Sequence, residues 1–576
     1  MVQRIIKDYR QKYFWFDSSF LIIVAALVGI GTGFAAIGFQ KMIKFFHLLF
    51  FDGGEKILSG IMGSYYVMLI PAIGGLIVGP IVYFFASEAK GHGVPEVMAA
   101  VAEKDGIIHP RVVVVRALAS SISIGSGGSV GREGPIVQIG SAIGSAVGQI
   151  LRLPPSILKT LVACGAAGGI AATFNAPIGG VLFAQELILG EFATNRFILI
   201  VISSVTSSII SRAFLGNYPA FRVPPYSLVS LEEMFFYLLL GILSGLFAVL
   251  YIKVLYKTED VFDNIKAIPA YVKPIIGGLI VGCVGLSFPQ VFGVGYDSIE
   301  GVLKNDMAWL LMFSLLFLKL FATSVTVASG GSGGVFAPGL FMGAMLGGSF
   351  GYIVHGLFPA HTAPAGAYAL VGMGGVFAGM SQAPITGIIM LFEMTGDYMV
   401  VLPLMVVCVI SSLTARGIYP ETIYTEKLAR RGLNVREEAY LDQIKDISVS
   451  DIMTTSVVTV NADMSLQEAR TKMLEYSFSV FPVLRGEELL GLVTYEDILN
   501  GIKEGKEDCK VEQVTRRDFA TVRPEDKILT VMKEMAQQDI GHIPVVSREC
   551  PCKLLGIITR SDIINAYGSM VSGERG

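Results

Sequence analysis

One glutamate stands inside a glycine-rich, otherwise apolar stretch, Ser126-Gly127-Gly128-Ser129-Val130-Gly131-Arg132-Glu133-Gly134-Pro135. A carboxylate at membrane depth is costly and marks a functional site by default. The segment it opens, Ile136 to Ile150, is mostly apolar. That places Glu133 near a helix N-terminus, where backbone N–H groups and the helix dipole attract negative charge. Such a terminus holds an anion, and Glu133 is an anion already tethered beside it. A carboxylate that competes with the anion and leaves when protonated is a gate. The alternative is that the glycines only let helices pack closely.

The stretch recurs 203 residues later as Ser329-Gly330-Gly331-Ser332-Gly333-Gly334-Val335-Phe336-Ala337-Pro338, with Phe336 opposite Glu133. Ile73-Gly74-Gly75-Leu76-Ile77-Val78-Gly79 repeats identically as Ile276 to Gly282 at the same offset. Asn175-Ala176-Pro177-Ile178-Gly179-Gly180 and Glu186 are echoed by Gln382-Ala383-Pro384-Ile385-Thr386-Gly387 and Glu393. Two hydrophobic halves, about 15–215 and 230–425, therefore share one plan. Repeats of this kind in transporters place the substrate site where the halves meet, with broken helices aiming their N-termini at an anion. An odd number of crossings per half inverts the second half. Gly and Pro interrupt many of the apolar runs, as in helices that stop partway through a membrane with their ends buried in protein.

The chain is 53% hydrophobic and 16% charged, with a mean hydropathy of +0.63. This favours a membrane protein over a soluble one. Phe20 to Phe39 and Met234 to Ile252 approach the ~20 residues of a span; Met399 to Leu413 is shorter and spans only with its flanks. Residues 1–14 carry Arg4, Lys7, Arg10 and Lys12 without a cleavage pattern, which predicts a cytoplasmic N-terminal segment. The net charge of −3 gives no reason to invoke nucleic acid. Of six cysteines, Cys164, Cys283 and Cys408 read as small hydrophobes, and Cys550-Pro551-Cys552 lacks the second pair of a zinc site. No H-E-x-x-H, G-x-S-x-G or phosphate-loop lysine appears, so no enzyme is expected.

Beyond residue 425 the composition turns polar. A charged linker is expected over 426–445, then two soluble modules at 446–503 and 511–570. Phe481-Pro482-Val483 and Gly491-Leu492-Val493-Thr494-Tyr495-Glu496-Asp497-Ile498 are answered by Ile543-Pro544-Val545 and Gly556-Ile557-Ile558-Thr559-Arg560-Ser561-Asp562-Ile563. Short β runs alternate with amphipathic helices, for example Ser465 to Leu474 and Lys527 to Gln537. This region resembles a tandem pair of CBS domains. The resemblance implies an adenine nucleotide (ATP, ADP or AMP) held by Thr494, Asp497, Thr559 and Asp562; alternatively the two aspartates only cap helices.

Gly91-His92-Gly93-Val94-Pro95-Glu96, Gly131-Arg132-Glu133-Gly134-Pro135 and Gly334-Val335-Phe336-Ala337-Pro338 resemble, in order, the three signature segments of the CLC chloride channel and transporter family. The resemblance covers residues 15 to 430. It implies an α-helical polytopic membrane domain over 15–425, a two-fold inverted repeat of broken and tilted helices, joined to an α/β tandem CBS domain. It further implies a homodimer with one pore per subunit, carrying chloride or other small anions, with protons as partners in the exchanging members. With a short N-terminus and no visible organelle address, the expected setting is a bacterial-type plasma membrane, with the CBS pair expected to be cytoplasmic. Glu133 takes the gate position. His92, Gly93, Gly131, Arg132, Gly334, Val335 and Phe336 take the anion-binding positions. Tyr424 completes the site, with Tyr419 as the local alternative.

Two positions depart from the family pattern. His92 stands where serine or proline is usual. Its imidazole either donates to the anion, adding pH sensitivity, or turns away to bond backbone. Leu187 stands where many exchangers carry an inner glutamate, which resembles the channel branch. Glu186 and Glu191 are the neighbouring acids available for the proton, unless they are structural. The sequence thus leaves proton-coupled exchange and a passive voltage- or pH-gated chloride channel both open. A CBS-regulated cation transporter of magnesium type is the alternative in another class; it needs an acid-lined path, and the repeated loops here are Gly/Ser-rich.

Overall fold

The computed structural model describes residues 2–85, 91–190, 194–221, 223–433, 447–476, 478–538 and 540–572. It divides into two compact units, Met1–Val435 and Arg436–Gly576.

The first unit is helical. Eight of its described helices are long and apolar enough to cross a membrane, among them Ser19–Lys56, Glu233–Asn264 and Val401–Ile418. The first helix runs unbroken from Val2 to His47, so the basic N-terminal segment continues into the first span. Others are short. Val94–Glu103 and Tyr296–Leu303 are fragments, and Pro177–Phe183 and Pro384–Thr395 each begin at a proline, whose missing N–H costs nothing at a first turn. Pro155–Phe174 and Ala365–Ser381 lie at the centre and are almost wholly buried.

The two halves meet through reciprocal contacts between repeat-equivalent residues. Gly131 and Gly334 form an antiparallel bridge, each N–H donating to the other's carbonyl at 2.7 and 2.6 Å. A residue bonding its own equivalent in this way lies on a local two-fold axis. Ser120 Oγ meets Ser332 Oγ at 2.9 Å, and Ser129 Oγ meets Thr323 Oγ1 at 3.3 Å; the repeat offset exchanges these two bonds, since Ser120 is the equivalent of Thr323 and Ser129 of Ser332. The helices containing the identical Ile-Gly-Gly-Leu-Ile-Val-Gly runs cross so closely that a Cβ on Gly75 would strike the Pro274 carbonyl, and one on Gly278 the Pro71 carbonyl. Close backbone approach of this kind is what small residues permit between apolar helices. The inverted repeat expected from the sequence is thus present in atomic detail.

One boundary differs from expectation. Residues 426–433 belong to the first unit and are no free linker. In the helix Thr425–Ala429, Glu426, Lys427 and Leu428 are buried. Arg431 forms a two-pronged ion pair with Glu96 at 2.9 and 3.1 Å, and Arg430 reaches Glu426 and Asp260, each at 2.6 Å. The charges that suggest a solvated linker are consumed by pairing. The rest of the expected linker, 434–445, lies outside the described residues.

The second unit has two modules. Val480–Arg485 pairs antiparallel with Glu488–Thr494, placing Phe481 opposite Val493. His542–Val546 pairs with Leu554–Thr559, placing Ile543 opposite Ile558. The register shifts at equivalent points, Val483/Leu484 and Val545/Val546. Helices Leu466–Tyr476 and Ile528–Gln538 cover the sheets with Leu466, Ala469 and Met473, and with Ile528, Val531 and Met535.

Candidate functional site

The three glycine motifs converge around the Gly131–Gly334 pair. The first motif joins through a parallel bridge between Gly91 and Ser332. A Cβ on Gly134 would collide with the His92 carbonyl and lie 3.0 Å from Gly334 Cα, so only glycine lets the three loops approach. Gly93 sits at φ 84°, ahead of helix Val94–Glu103. Glu133 and Phe336 are the first residues of helices Glu133–Ile150 and Phe336–Leu357. The first N–H groups of an α-helix have no intrahelical acceptor, so two mated helix N-termini present donors at the same junction.

Glu133 is 1% exposed. Its Oε1 accepts a hydrogen bond from the Tyr296 hydroxyl at 2.8 Å. Its Oε2 has no hydrogen-bond partner and lies over Gly131 beside Ala337. The Arg132 guanidinium lies 5.2 Å from the Tyr296 ring centroid, and its Nη2 reaches the Thr173 carbonyl at 3.4 Å. Phe336 is buried against Phe174 and Phe377, with ring centroids 5.4 and 4.7 Å away. Val335 offers its carbonyl to the Tyr251 hydroxyl at 3.2 Å.

Tyr424 is 1% exposed and its hydroxyl has no hydrogen-bond partner. Tyr419 instead donates to Glu426 at 2.6 Å. Of the two tyrosines, Tyr424 therefore has the free polar group. His92 lies 6.2 Å from Tyr424, ring to ring. Its Nε2 meets the Tyr256 hydroxyl at 3.3 Å, while the Tyr256 proton goes to the Ile423 carbonyl at 2.7 Å. A hydroxyl has one proton, so Nε2 is the donor to Tyr256. In neutral His92 the partnerless Nδ1 is then a lone pair, an assignment made from hydrogen-bond partners. Buried polar atoms are normally satisfied. Here Glu133 Oε2, Tyr424 Oη and His92 Nδ1 are three exceptions at one place.

Glu186 is elsewhere. Its Oε2 accepts from the Thr386 N–H and hydroxyl at 2.8 and 2.6 Å, and its Oε1 from Ile385 N–H at 3.4 Å. It therefore caps helix Pro384–Thr395. Its mate Glu393 caps helix Pro177–Phe183 through Gly179 and Ile178 N–H, at 2.6 and 3.1 Å. Leu187 is buried and apolar, and Glu191 lies outside the described residues.

In the second unit, Thr494 and Asp497 form a capping box on helix Tyr495–Lys503. Asp497 is also gripped by Arg516, whose Nη2 lies 2.7 Å from Oδ1. Burial pushes the Asp497 carboxyl up, but the hydrogen bonds from Arg516 and Thr494 outweigh it and hold it below the ordinary carboxylate range. Thr559 and Asp562 make the same box, with Oδ2 accepting the Thr559 N–H and hydroxyl, each at 2.8 Å.

The residues that sequence reasoning missed are Tyr296, Tyr256 and the buried cations Arg116 and Lys319. A signal for Tyr296 was present: Gly293-Val294-Gly295-Tyr296 echoes Gly91-His92-Gly93-Val94 at nearly the repeat offset.

Comparison with known proteins adds a family to this geometry. Residues 74–416 match the model of the voltage gated chloride channel family, and residues 449–504 and 511–569 each match that of the CBS domain. A putative chloride channel protein ClcB-like from Ralstonia nicotianae is 35% identical over 416 residues, 71% of this chain and 97% of the relative. The H(+)/Cl(-) exchange transporter ClcA of Klebsiella pneumoniae is 32% identical over 426 residues, 71% and 88%. The crystal structure of a slow cyanobacterial Cl-/H+ antiporter superposes with a TM-score of 0.67 at 27% identity, over 71% of this chain and 97% of that one.

Proposed function

Because the chain belongs to the voltage-gated chloride channel family and ends in two CBS domains, we propose that it carries chloride across a membrane in exchange for protons, with Glu133 as the gate. One observation carries this reading: the Glu133 carboxylate lies at the junction of two helix N-termini, where a small anion would bind. Deprotonated, it competes with chloride for the same donors. Protonated, it loses its charge and its claim on them, and chloride enters. Alternating the two occupants couples the fluxes. The Phe336 and Val335 N–H groups at the opposite terminus and the Tyr424 hydroxyl are the donors offered to the anion, with Gly93, Gly131 and Gly334 keeping the loops close enough. Arg132 adds positive potential beside the gate.

Leu187 and the capped Glu186 favour a second reading, a passive pH-gated channel, because neither offers an inward proton acceptor. The deciding experiment is proton movement in liposomes under a chloride gradient, with the potential set by potassium and valinomycin so that protons have no passive driving force. Uphill proton movement establishes exchange and requires water or another acid to bypass Leu187; chloride flux without it establishes the channel. Glu133→Gln, a permanently uncharged gate, abolishes proton movement and keeps chloride flux.

The assembly we propose is a homodimer in the plasma membrane, with the CBS pair cytoplasmic. An adenine nucleotide is its regulator. The Thr559–Asp562 box suits a ribose better than Thr494–Asp497, because Arg516 already occupies the latter's carboxylate. Calorimetry on the full chain with millimolar AMP and ATP tests this; heat abolished by Asp562→Asn supports it, and absence of heat overturns it.

A further inference from the structure

We infer that Tyr296 is the latch of the Glu133 gate, a positioning residue whose hydroxyl holds the carboxylate in its closed place. The inference rests on Glu133 being the gate.

Tyr296 begins the fragment helix Tyr296–Leu303. The loop before it has Gly293 and Gly295 at φ 55° and 81°; in the first motif, Gly91 and Gly93 are both at 84° and precede helix Val94–Glu103. Each loop is fastened by a wholly buried cation. Arg116 Nη2 donates to the Gly91 carbonyl at 2.8 Å. Lys319 Nζ donates to the Gly293 carbonyl at 2.8 Å and the Val291 carbonyl at 2.9 Å. Arg116 and Lys319 are themselves 203 residues apart, the offset that relates Gly131 to Gly334. The 293–296 loop is therefore the two-fold mate of the first motif. Where the first motif has Val94, its mate has a tyrosine, and the tyrosine reaches the gate.

The position of the ring is fixed on two further sides. Phe221 packs edge-on with centroids 5.2 Å apart, and Arg132 lies 5.2 Å from the ring centroid. A cavity of about 310 Å³ opens beside it, lined in part by Arg132, Gly293, Gly295 and Tyr296. The groups facing the Glu133 carboxylate are Arg132, Tyr296 and Tyr424, with the N–H groups of Glu133 and Ala337. Among the described residues, Tyr296 gives the one side-chain hydrogen bond to it. A hydroxyl donating to a carboxylate favours the charged form, and the charged form is the closed one. Tyr296 thus sets how acidic the solution must be before the gate releases.

The test is chloride efflux from liposomes between about pH 4.5 and 8 for the wild type, Tyr296→Phe, Glu133→Gln and the double variant. Tyr296→Phe keeps the ring and removes the donor. The expected result is efflux raised about tenfold at neutral pH, unchanged at the acidic end, with the half-activation pH moved up by about one unit. In the Glu133→Gln background the same change has no effect, which also shows that the variant folds. A wild-type pH profile in Tyr296→Phe, or a loss of flux equal at every pH, overturns the latch while leaving the gate intact. A Glu133→Gln protein that keeps the wild-type pH profile overturns the gate itself, and the latch with it.

Discussion

At the scale of residues, His92 carries a lone pair where the proposed anion site calls for a donor. Its one N–H is committed to Tyr256, whose own proton goes to Ile423. On the proposed reading, a neutral His92 therefore repels an anion weakly, while the backbone N–H groups and Tyr424 attract it. His92→Ser, which replaces the lone pair with a rotatable hydroxyl, is expected to tighten chloride binding by about tenfold, the worth of one added hydrogen bond to a charge, as read by calorimetry in detergent. Tyr424→Phe is expected to weaken it by a similar factor. Much of the candidate site was legible: Glu133, Gly334 and Phe336 stand out by type and by the repeat, and Tyr424 by the family resemblance. Tyr296 did not, because a tyrosine in an apolar chain is ordinary: the echo of the first motif marks its loop, and only its hydrogen bond ties the side chain to Glu133. The orientation of His92 was not legible either, since it depends on Tyr256, a residue 164 positions away.

At the scale of elements, the pair Glu186 and Glu393 explains why two acids lie among apolar helices. Each closes the N-terminus of a short helix in the opposite half, satisfying N–H groups that otherwise have no partner. Glu186→Gln and Glu393→Gln should each lower stability by about 1.5–3 kcal/mol, the range for hydrogen bonds to a charged group. Thermal unfolding in detergent checks this, and Glu186→Gln should leave proton coupling at its wild-type value. The repeat in the sequence aligns these two acids, but their reciprocity is a three-dimensional fact: spacing says that two residues are equivalent, not that each serves the other's helix. The same limit applies to Arg430 and Arg431, which read as a solvated charge run until Asp260 and Glu96 are brought to them across the fold.

At the scale of the whole molecule, the apolar unit and the CBS unit were separable by composition alone, and the alternation of short β runs with amphipathic helices in the CBS pair was legible in the sequence. The capping boxes there make a stability prediction. Thr494→Ala removes a cap and should cost about 1 kcal/mol, seen as an earlier denaturant midpoint for the CBS transition. Acid should act on the same element. The Asp497 carboxyl is held below its ordinary range, so its contribution is complete above about pH 4 and is lost as the pH falls through the lower folded value. Asp497→Asn should flatten that acid dependence.

The hydrogen-bonded pair of Gly131 and Gly334 has a consequence for direction. Two equivalent residues that bond across a two-fold axis would, with identical side chains around them, make a frame that looks the same from both ends. Glu133 and Phe336 are the mated positions beside that axis. The difference between them gives the symmetrical frame a front and a back.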